Sequence, residues 1–191
     1  MEKGNKNVYL VGPMGSGKTT IGSRLASRLG FTFYDCDHEI EARTGASVNL
    51  IFEIEGESGF REREHRMLEE LTAREGVLVA TGGGAMTEES NRTLLRNSGI
   101  VIYLQTPVEQ QLQRLRRDKS RPLLQTEDRR SRLEEMARVR NPQYESVAHL
   151  VFPARSRSID RAVNQIYQSI LSFTQTATTG SGTPKTGQIE S

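Results

Sequence analysis

Short apolar runs alternate along the chain with longer segments in which apolar residues recur every three or four positions. The short runs have the length of β-strands, and the longer segments have the periodicity of helices that bury one face. Stacked βα units of this kind are typical of an α/β domain built around a parallel sheet. The predicted strands cover residues 8–11, 31–35, 77–81, 100–104 and 150–152.

Four helices follow from the spacing of the apolar residues. Ile21 and Leu25 begin one apolar stripe after the first strand, and a similar stripe precedes the third strand. A third helix is predicted over residues 107–117, where Pro107 suits the first turn. A fourth is predicted over residues 158–173, and we expect it to pack back on the sheet.

The end of the chain has a different composition. From about Gln175 onward it is rich in threonine, glycine and serine and has almost no apolar residues. Such a segment gains too little from burial to offset the entropy that it would lose on ordering. We therefore predict one folded domain over residues 1–174 and a disordered tail over residues 175–191.

Composition and charge exclude several classes of protein. The 191 residues are 35% hydrophobic, enough for one core of ordinary size. The 26 lysines and arginines against 24 acids give a net charge of +2, without the basic surplus typical of nucleic-acid binding. The single Cys36 cannot form an internal disulfide, and no stretch approaches the ~18 apolar residues of a membrane span. We expect a cytoplasmic protein that binds neither nucleic acid nor membrane.

The strongest motif is a phosphate-binding loop after the first predicted strand. Gly12 is followed by four residues and then by Gly17, Lys18 and Thr19, and a helix follows. Backbone N–H groups can converge there on phosphate oxygens, while Lys18 reaches the terminal phosphates and Thr19 ligates magnesium. The alternative is a glycine-rich turn that binds nothing. The predicted nucleotide-binding residues of this segment are Gly12, Gly15, Ser16, Gly17, Lys18, Thr19 and Thr20.

Two acidic residues, Asp35 and Asp37, stand at the end of the second predicted strand. Because side chains alternate along a strand, we expect both carboxylates on one face, with Cys36 pointing away. Ligands of open α/β sheets bind beyond the carboxyl ends of the strands. One acid can then act near magnesium through water, and the other can take a proton from an attacking hydroxyl. The structural alternative is that Asp37 caps a helix.

Two further features flank the third predicted strand. Gly82, Gly83 and Gly84 follow it, so they fall on the same edge of the sheet as the phosphate loop. Three glycines favour close approach of a ligand, although a tight turn needs only one. In the preceding helix, Glu64 interrupts the apolar stripe three residues after Arg61. This pair either shares a pocket or lies on a solvated face.

The densest basic run of the chain covers residues 114–122. No aromatic residue is interleaved, which argues against nucleic acid as its partner. A mobile lid over residues 114–127 that closes on a triphosphate accounts for these charges. A solvated basic loop is the alternative.

Taken together, these motifs and their order resemble the shikimate kinase family, small P-loop kinases of aromatic amino-acid biosynthesis. The resemblance covers about residues 7–173. The matching segments are residues 12–19, 35–37, 60–64, 82–84, 121–124 and 140–144.

The resemblance implies a three-layer P-loop kinase fold, with a central five-stranded parallel sheet flanked by helices and a mobile lid. It implies a monomeric enzyme that moves the γ-phosphoryl group of MgATP to the 3-hydroxyl of shikimate. Lys18 and Thr19 would hold ATP and magnesium, and Asp35 would reach the metal through water. Asp37 would act as the catalytic base.

The resemblance also implies roles for arginines. Arginines would clamp the substrate carboxylate, and Arg121 in the lid would meet the transferring phosphate. Arg114 would stack on adenine, with Arg116 and Arg117 as alternatives. The implied shikimate-binding residues are Asp37, Arg61, Glu64, Gly82, Gly83, Gly84 and Arg140.

Two other functions stay open at this point. One is a different small-metabolite kinase, such as a gluconate kinase or a nucleoside monophosphate kinase. Arginines aimed at a carboxylate and paired aspartates favour a hydroxylated acid as the acceptor. The other is a non-catalytic module that only closes on ATP, but Asp37 argues against it, since a pure binder needs no base.

Overall fold

The computed structural model describes residues 6–116, 128–153 and 158–179, with side chains as far as residue 175. The strands in these ranges are β1 (Asn7–Val11), β2 (Thr32–Asp35), β3 (Val77–Ala80), β4 (Gly99–Gln105) and β5 (Leu150–Pro153). The α-helices are α1 (Lys18–Leu29), α2 (Cys36–Thr44), α3 (Val48–Thr72), α4 (Glu89–Ser98), α5 (Val108–Leu115), α6 (Arg129–Val147) and α7 (Ile159–Thr179). A short 3₁₀ helix covers Ala85–Thr87. Among the helices of the described ranges, none has both the length and the apolar character that crossing a membrane requires.

The five strands form one parallel sheet in the order β2–β3–β1–β4–β5. β1 lies at the centre, where Leu10 is paired with Ala80 of β3 and with Ile102 of β4. The chain fills one side of β1 first and then crosses to the other side. A reversal of this kind leaves a crevice at the carboxyl end of the central strand, where open α/β sheets bind ligands. The predicted fold, a parallel sheet flanked by helices, is confirmed.

Alternate residues of the central strand bury their side chains on opposite faces of the sheet. Val8 and Leu10 pack with α1 and α7, whereas Tyr9 and Val11 pack with α2, α3, α4 and α6. All four side chains are buried. Because both faces are covered, the strand is a continuous apolar run and not an alternating one.

Three helices that the apolar spacing does not reveal complete the fold. α2 buries only Cys36 and Ile40, and α4 buries only Asn91 and Leu95. α6 buries four of its 19 residues. Apolar stripes this sparse do not stand out from the surrounding polar sequence.

Two predicted helix boundaries need correction. α5 begins at Val108, so Pro107 is the residue before the helix and not part of its first turn. α7 continues to Thr179, past the predicted start of the tail at Gln175. A helix that is already packed can extend by one hydrogen bond per residue, so polar composition alone does not end it. The rest of the predicted tail, residues 180–191, lies outside the described residues.

Candidate active site

The phosphate-binding loop connects the central strand to α1. Gly12, Gly15 and Gly17 have φ angles of 142°, 72° and 91°, a region that side chains rarely tolerate. A Cβ atom on Gly12 would also lie 2.8 Å from the carbonyl oxygen of Leu104. Gly17 precedes α1 without a side-chain cap, so the N–H groups of the first turn face the loop, where they suit an anion.

Lys18 folds back across the phosphate-binding loop. Its Nζ donates to the carbonyl oxygens of Gly12 at 2.8 Å and Pro13 at 2.9 Å, and to Ser16 Oγ at 3.4 Å. These bonds hold the ammonium group beside the N–H groups that end the loop. An anionic phosphate is a stronger partner for an ammonium group than a neutral carbonyl is. The lysine is therefore placed to exchange carbonyls for phosphate oxygens.

Thr19 and Asp35 form a hydrogen-bonded pair next to the loop. Thr19 Oγ1 donates to Asp35 Oδ2 at 2.6 Å. Hydroxyl and carboxylate oxygens are the ligands that magnesium prefers. Within the described ranges, no three His, Cys, Asp or Glu residues lie close enough to hold a metal by themselves. The pair therefore fits a magnesium ion that takes its other ligands from water and phosphate.

The sequence predicts that the two aspartates lie on one face of a strand, and the structure shows that this prediction is wrong. β2 ends at Asp35 and α2 begins at Cys36, so Asp37 lies in the first turn of the helix. Asp35 is the N-cap of α2, because its carboxylate accepts from the backbone N of His38 at 3.5 Å. The predicted alternative, a cap at Asp37, is wrong as well. Cys36 points into the core, as predicted, and burial raises the pKa of its thiol well above the ordinary value.

A pocket beside the phosphate-binding loop brings the predicted substrate residues together. α2, α3 and α6 contribute charged side chains, and the glycine run after β3 forms one wall. Met14 of the phosphate-binding loop also lines it, so the two predicted sites adjoin. The predicted residues that line the pocket are Asp37, Arg61, Gly82, Gly83, Gly84 and Arg140.

Arg61 and Glu64 form a buried ion pair at this pocket. Arg61 Nη1 donates to Glu64 Oε2 at 2.6 Å, and the side chains are 9% and 0% exposed. Arg61 Nη2 donates to Glu57 Oε1 at 2.8 Å. The pair thus does not lie on a solvated face: Arg61 lines the pocket, and Glu64 is buried beside Arg61 without lining the pocket itself. Burial raises the pKa of Glu64 to about 7, against the opposing effect of Arg61, so this carboxyl can hold a proton near neutrality.

Gly82 and Gly84 are required by space and not by backbone conformation. Neither has a positive φ angle. A Cβ atom on Gly82 would overlap Glu64 Oε1 and lie 2.8 Å from Asp37 Oδ1. A Cβ atom on Gly84 would overlap the guanidinium group of Arg61. The bare backbone therefore lets the charged groups of the pocket pack directly against it.

Helix α6 contacts the glycine run through two side chains. The hydroxyl of Tyr144 donates to the carbonyl oxygen of Gly83, and Arg140 Nη1 donates to the same oxygen at 3.3 Å. Burial lowers the pKa of Arg140 and raises the pKa of Tyr144. Tyr144 is not among the predicted site residues, because a tyrosine in a helix is more often a core residue.

A larger cavity of about 350 Å³ opens on the other side of the phosphate-binding loop. Ser16, Gly17 and Thr20 form one wall, while β5 and α7 supply apolar residues such as Phe152 and Ile159. An apolar slot beside a phosphate site suits a flat aromatic base. The sequence prediction misses the β5 and α7 residues, since they have the spacing of ordinary core positions.

Arg114 lines this cavity, and its Nη1 donates to the carbonyl oxygen of Gly15 at 2.8 Å. Of the two candidate arginines that the structure describes, Arg114 and Arg116, only Arg114 lies in the wall. Of the lid predicted over residues 114–127, the first two residues belong to α5. Residues 117–127, with Arg117 and Arg121, lie outside the described residues.

Comparison with known proteins gives the family. The model of the shikimate kinase family matches residues 14–171. This chain belongs to the shikimate kinase family. The shikimate kinase of Histophilus somni (strain 2336) is 52% identical over 166 residues, which are 86% of this chain and 95% of that protein. A solved structure of the shikimate kinase from Acinetobacter baumannii in complex with shikimate is 52% identical, with a TM-score of 0.86 over 87% of this chain and 93% of that chain.

The resemblance to shikimate kinases and the prediction of an ATP-dependent kinase are confirmed by these relatives. A gluconokinase from Sinorhizobium meliloti has a TM-score of 0.67 over 93% of this chain and 98% of that chain, with 18% sequence identity. That likeness shows a shared fold alone, so it does not support gluconate as the acceptor.

Proposed function

We propose that this protein transfers the γ-phosphoryl group of MgATP to the 3-hydroxyl of shikimate, giving shikimate 3-phosphate and ADP. One arrangement carries the proposal: the phosphate-binding loop and the pocket of aspartate and arginines share Met14 as a common wall. A terminal phosphate and a hydroxylated acid bound on either side would be neighbours. Two findings support shikimate as the acceptor: this chain belongs to the shikimate kinase family, and the similar shikimate kinase from Acinetobacter baumannii was solved in complex with shikimate.

ATP would lie across the phosphate-binding loop, with its base in the 350 Å³ cavity beside Arg114. The N–H groups at the start of α1 would bind phosphate oxygens, and Lys18 would exchange its carbonyl partners for them. Thr19 and Asp35 would hold magnesium, which neutralises charge on the phosphates when it is bound. Lys18 would then stabilise the negative charge that develops on the transferring phosphoryl group.

Shikimate would occupy the pocket lined by Asp37, Arg61 and Arg140. The planar guanidinium groups of the two arginines match the geometry of a carboxylate. The buried Glu64 would orient Arg61 through the bond that it accepts from Nη1. The carboxylate of Asp37 would accept the proton of the 3-hydroxyl as the hydroxyl oxygen attacks the γ-phosphorus, while the bond between that phosphorus and the β–γ bridging oxygen breaks and ADP leaves. Arg121, in the predicted lid, would add positive charge at the transferring phosphate.

The test is a coupled assay of ADP release with shikimate, gluconate, AMP and CMP offered in parallel. We expect release with shikimate, its loss on chelation of magnesium, and little release with the other acceptors. Folded protein that binds ATP but shows no shikimate-dependent release would refute the proposal. Release with none of the four acceptors would favour the non-catalytic module. Size-exclusion chromatography with light scattering checks the predicted monomer.

A further inference from the structure

Helix α6 sends two hydrogen-bond donors to one carbonyl oxygen of the glycine run. The Tyr144 hydroxyl and Arg140 Nη1 both donate to the oxygen of Gly83. Residues four apart lie on the same face of a helix, so both side chains reach the run from one side. Gly83 also borders the phosphate-binding loop, because a Cβ atom on it would lie 3.3 Å from the backbone N of Met14. This carbonyl therefore joins α6, the acceptor pocket and the loop.

Tyr144 is a fixed donor, whereas Arg140 is adjustable. The Tyr144 side chain is 1% exposed, and its ring packs on Tyr103 with 5.1 Å between centroids. Since burial raises the pKa of Tyr144, its hydroxyl keeps the proton that it donates. Arg140 is only partly buried and has a long side chain with many rotamers. Its direction must come from its contacts.

The Gly83 carbonyl and the carboxylate of a bound acceptor would compete for the donors of Arg140. Burial lowers the pKa of Arg140, and the positive charge of nearby Arg61 acts in the same direction. Because burial removes water from the guanidinium group, each hydrogen-bond acceptor within reach stabilises it. The Gly83 carbonyl can accept two hydrogen bonds, and Tyr144 uses one of them. Without that hydroxyl, the carbonyl would accept a second bond from Arg140. The guanidinium group would then turn toward the backbone and away from the pocket.

We propose that Tyr144 is a positioning residue for Arg140. By occupying one of the two acceptor positions of the Gly83 carbonyl, its hydroxyl limits Arg140 to a single bond there. The other guanidinium donors of Arg140 stay available for the carboxylate of the acceptor. The inference rests on the proposed function, because it takes shikimate as the acceptor. It assigns a role in substrate binding to a buried side chain that would otherwise count only as core.

The test removes the hydroxyl oxygen of Tyr144. Tyr144→Phe keeps the ring packing and should raise the KM for shikimate roughly threefold to tenfold, the range expected for one lost hydrogen bond. The kcat and the KM for ATP should stay within about twofold of the parent values. Tyr103→Phe is the matched control, because it removes the hydroxyl of the other ring, which donates to Asn141 Oδ1 at 3.2 Å and not to the glycine run. It should keep the parent KM for shikimate.

A double-mutant cycle separates positioning from packing. In an Arg140→Ala background, Tyr144→Phe should add nothing to the loss of shikimate binding, measured by titration calorimetry. A parent-like KM in Tyr144→Phe, or equal effects with and without Arg140, would overturn the inference while the proposed function stands. A parent protein that neither binds nor phosphorylates shikimate would overturn both. Thermal unfolding of each variant confirms that folded proteins are compared.

Discussion

Replacing Gly84 by alanine tests whether the guanidinium group of Arg61 must lie against the glycine run. Gly84 has φ −109° and ψ −1°, which alanine adopts without strain. The added Cβ would lie 2.8 Å from Arg61 Nη1 and would overlap the rest of the guanidinium group. The substitution therefore acts on the side chain of Arg61 and leaves the backbone unstrained.

The expected rise in the KM for shikimate depends on how the Arg61 side chain can move away from the added Cβ. Its Nη1 is bonded to Glu64, a side chain that is 0% exposed, so a shift of the guanidinium group breaks or strains this buried bond. The guanidinium group must therefore leave its place, and the acceptor carboxylate loses a charged donor. A hydrogen bond to a charged group contributes about 1.5–3 kcal/mol. This corresponds to a rise of roughly 10- to 150-fold in the KM for shikimate, with the KM for ATP unchanged.

The assay is ADP release at saturating MgATP over a range of shikimate concentrations. Gly45→Ala is the matched control, because Gly45 follows α2 with φ 69° and no described atom lies within 4 Å of an added Cβ. It should lose about 1 kcal/mol of unfolding free energy through backbone strain and keep the parent KM. A KM within twofold of the parent in Gly84→Ala, or the same rise in Gly45→Ala, would refute the placement of the carboxylate at Arg61.

Three further predictions concern the acids and the tail. Asp37→Asn should bind ATP normally and lose roughly 100- to 1,000-fold in kcat, since an amide cannot take a proton, whereas Asp35→Asn should raise the magnesium concentration needed for half-maximal activity. Between pH 4.5 and about 7 the folded state keeps a proton on Glu64 that the unfolded chain has released. Glu64 therefore makes the free energy of unfolding fall as pH rises through that window, by at most about 1.4 kcal/mol per pH unit. Urea unfolding of Glu64→Gln should lack this contribution to the slope, and an unchanged slope would contradict the assignment. Truncation after Thr179 should leave kcat and Tm unchanged, and a drop of several degrees would show that the tail packs on the domain.

The sequence predicts the sheet and the loops at its edge because both depend on local patterns. The three inner strands β1, β3 and β4 are buried on two faces and read as apolar runs, and the edge strands β2 and β5 are more exposed but still largely apolar. All five therefore appear in the pattern, with boundaries within one residue of those observed. The loops that follow β1 and β3 are marked by glycines. Parallel strands place their carboxyl ends at one edge of the sheet, so the sequence alone is enough to predict that these loops lie close together.

The remaining parts of the site depend on tertiary packing that local patterns do not contain. The junction at Asp35 changes strand into helix within one residue, and a strand pattern cannot show where the chain turns. The role of Tyr144 requires α6 to lie over the glycine run, which brings together residues that are 61 positions apart. The cavity beside the phosphate-binding loop likewise needs β5 and α7 to approach α1.

The balance of charges in the acceptor pocket favours a single carboxylate over a phosphate group. Arg61 and Arg140 supply two positive charges, but Arg61 is already paired with Glu57 and Glu64, and Asp37 lines the same pocket. A phosphate monoester brings a charge of about −1.5 to −2 near neutral pH, and unpaired charge in a partly buried site costs several kcal/mol. A monocarboxylic acid brings only one charge, and Glu64, with a pKa of about 7, can take up a proton to offset it. We therefore expect charge to exclude AMP and CMP as acceptors, while gluconate, which carries the same charge as shikimate, is distinguished by its open-chain shape.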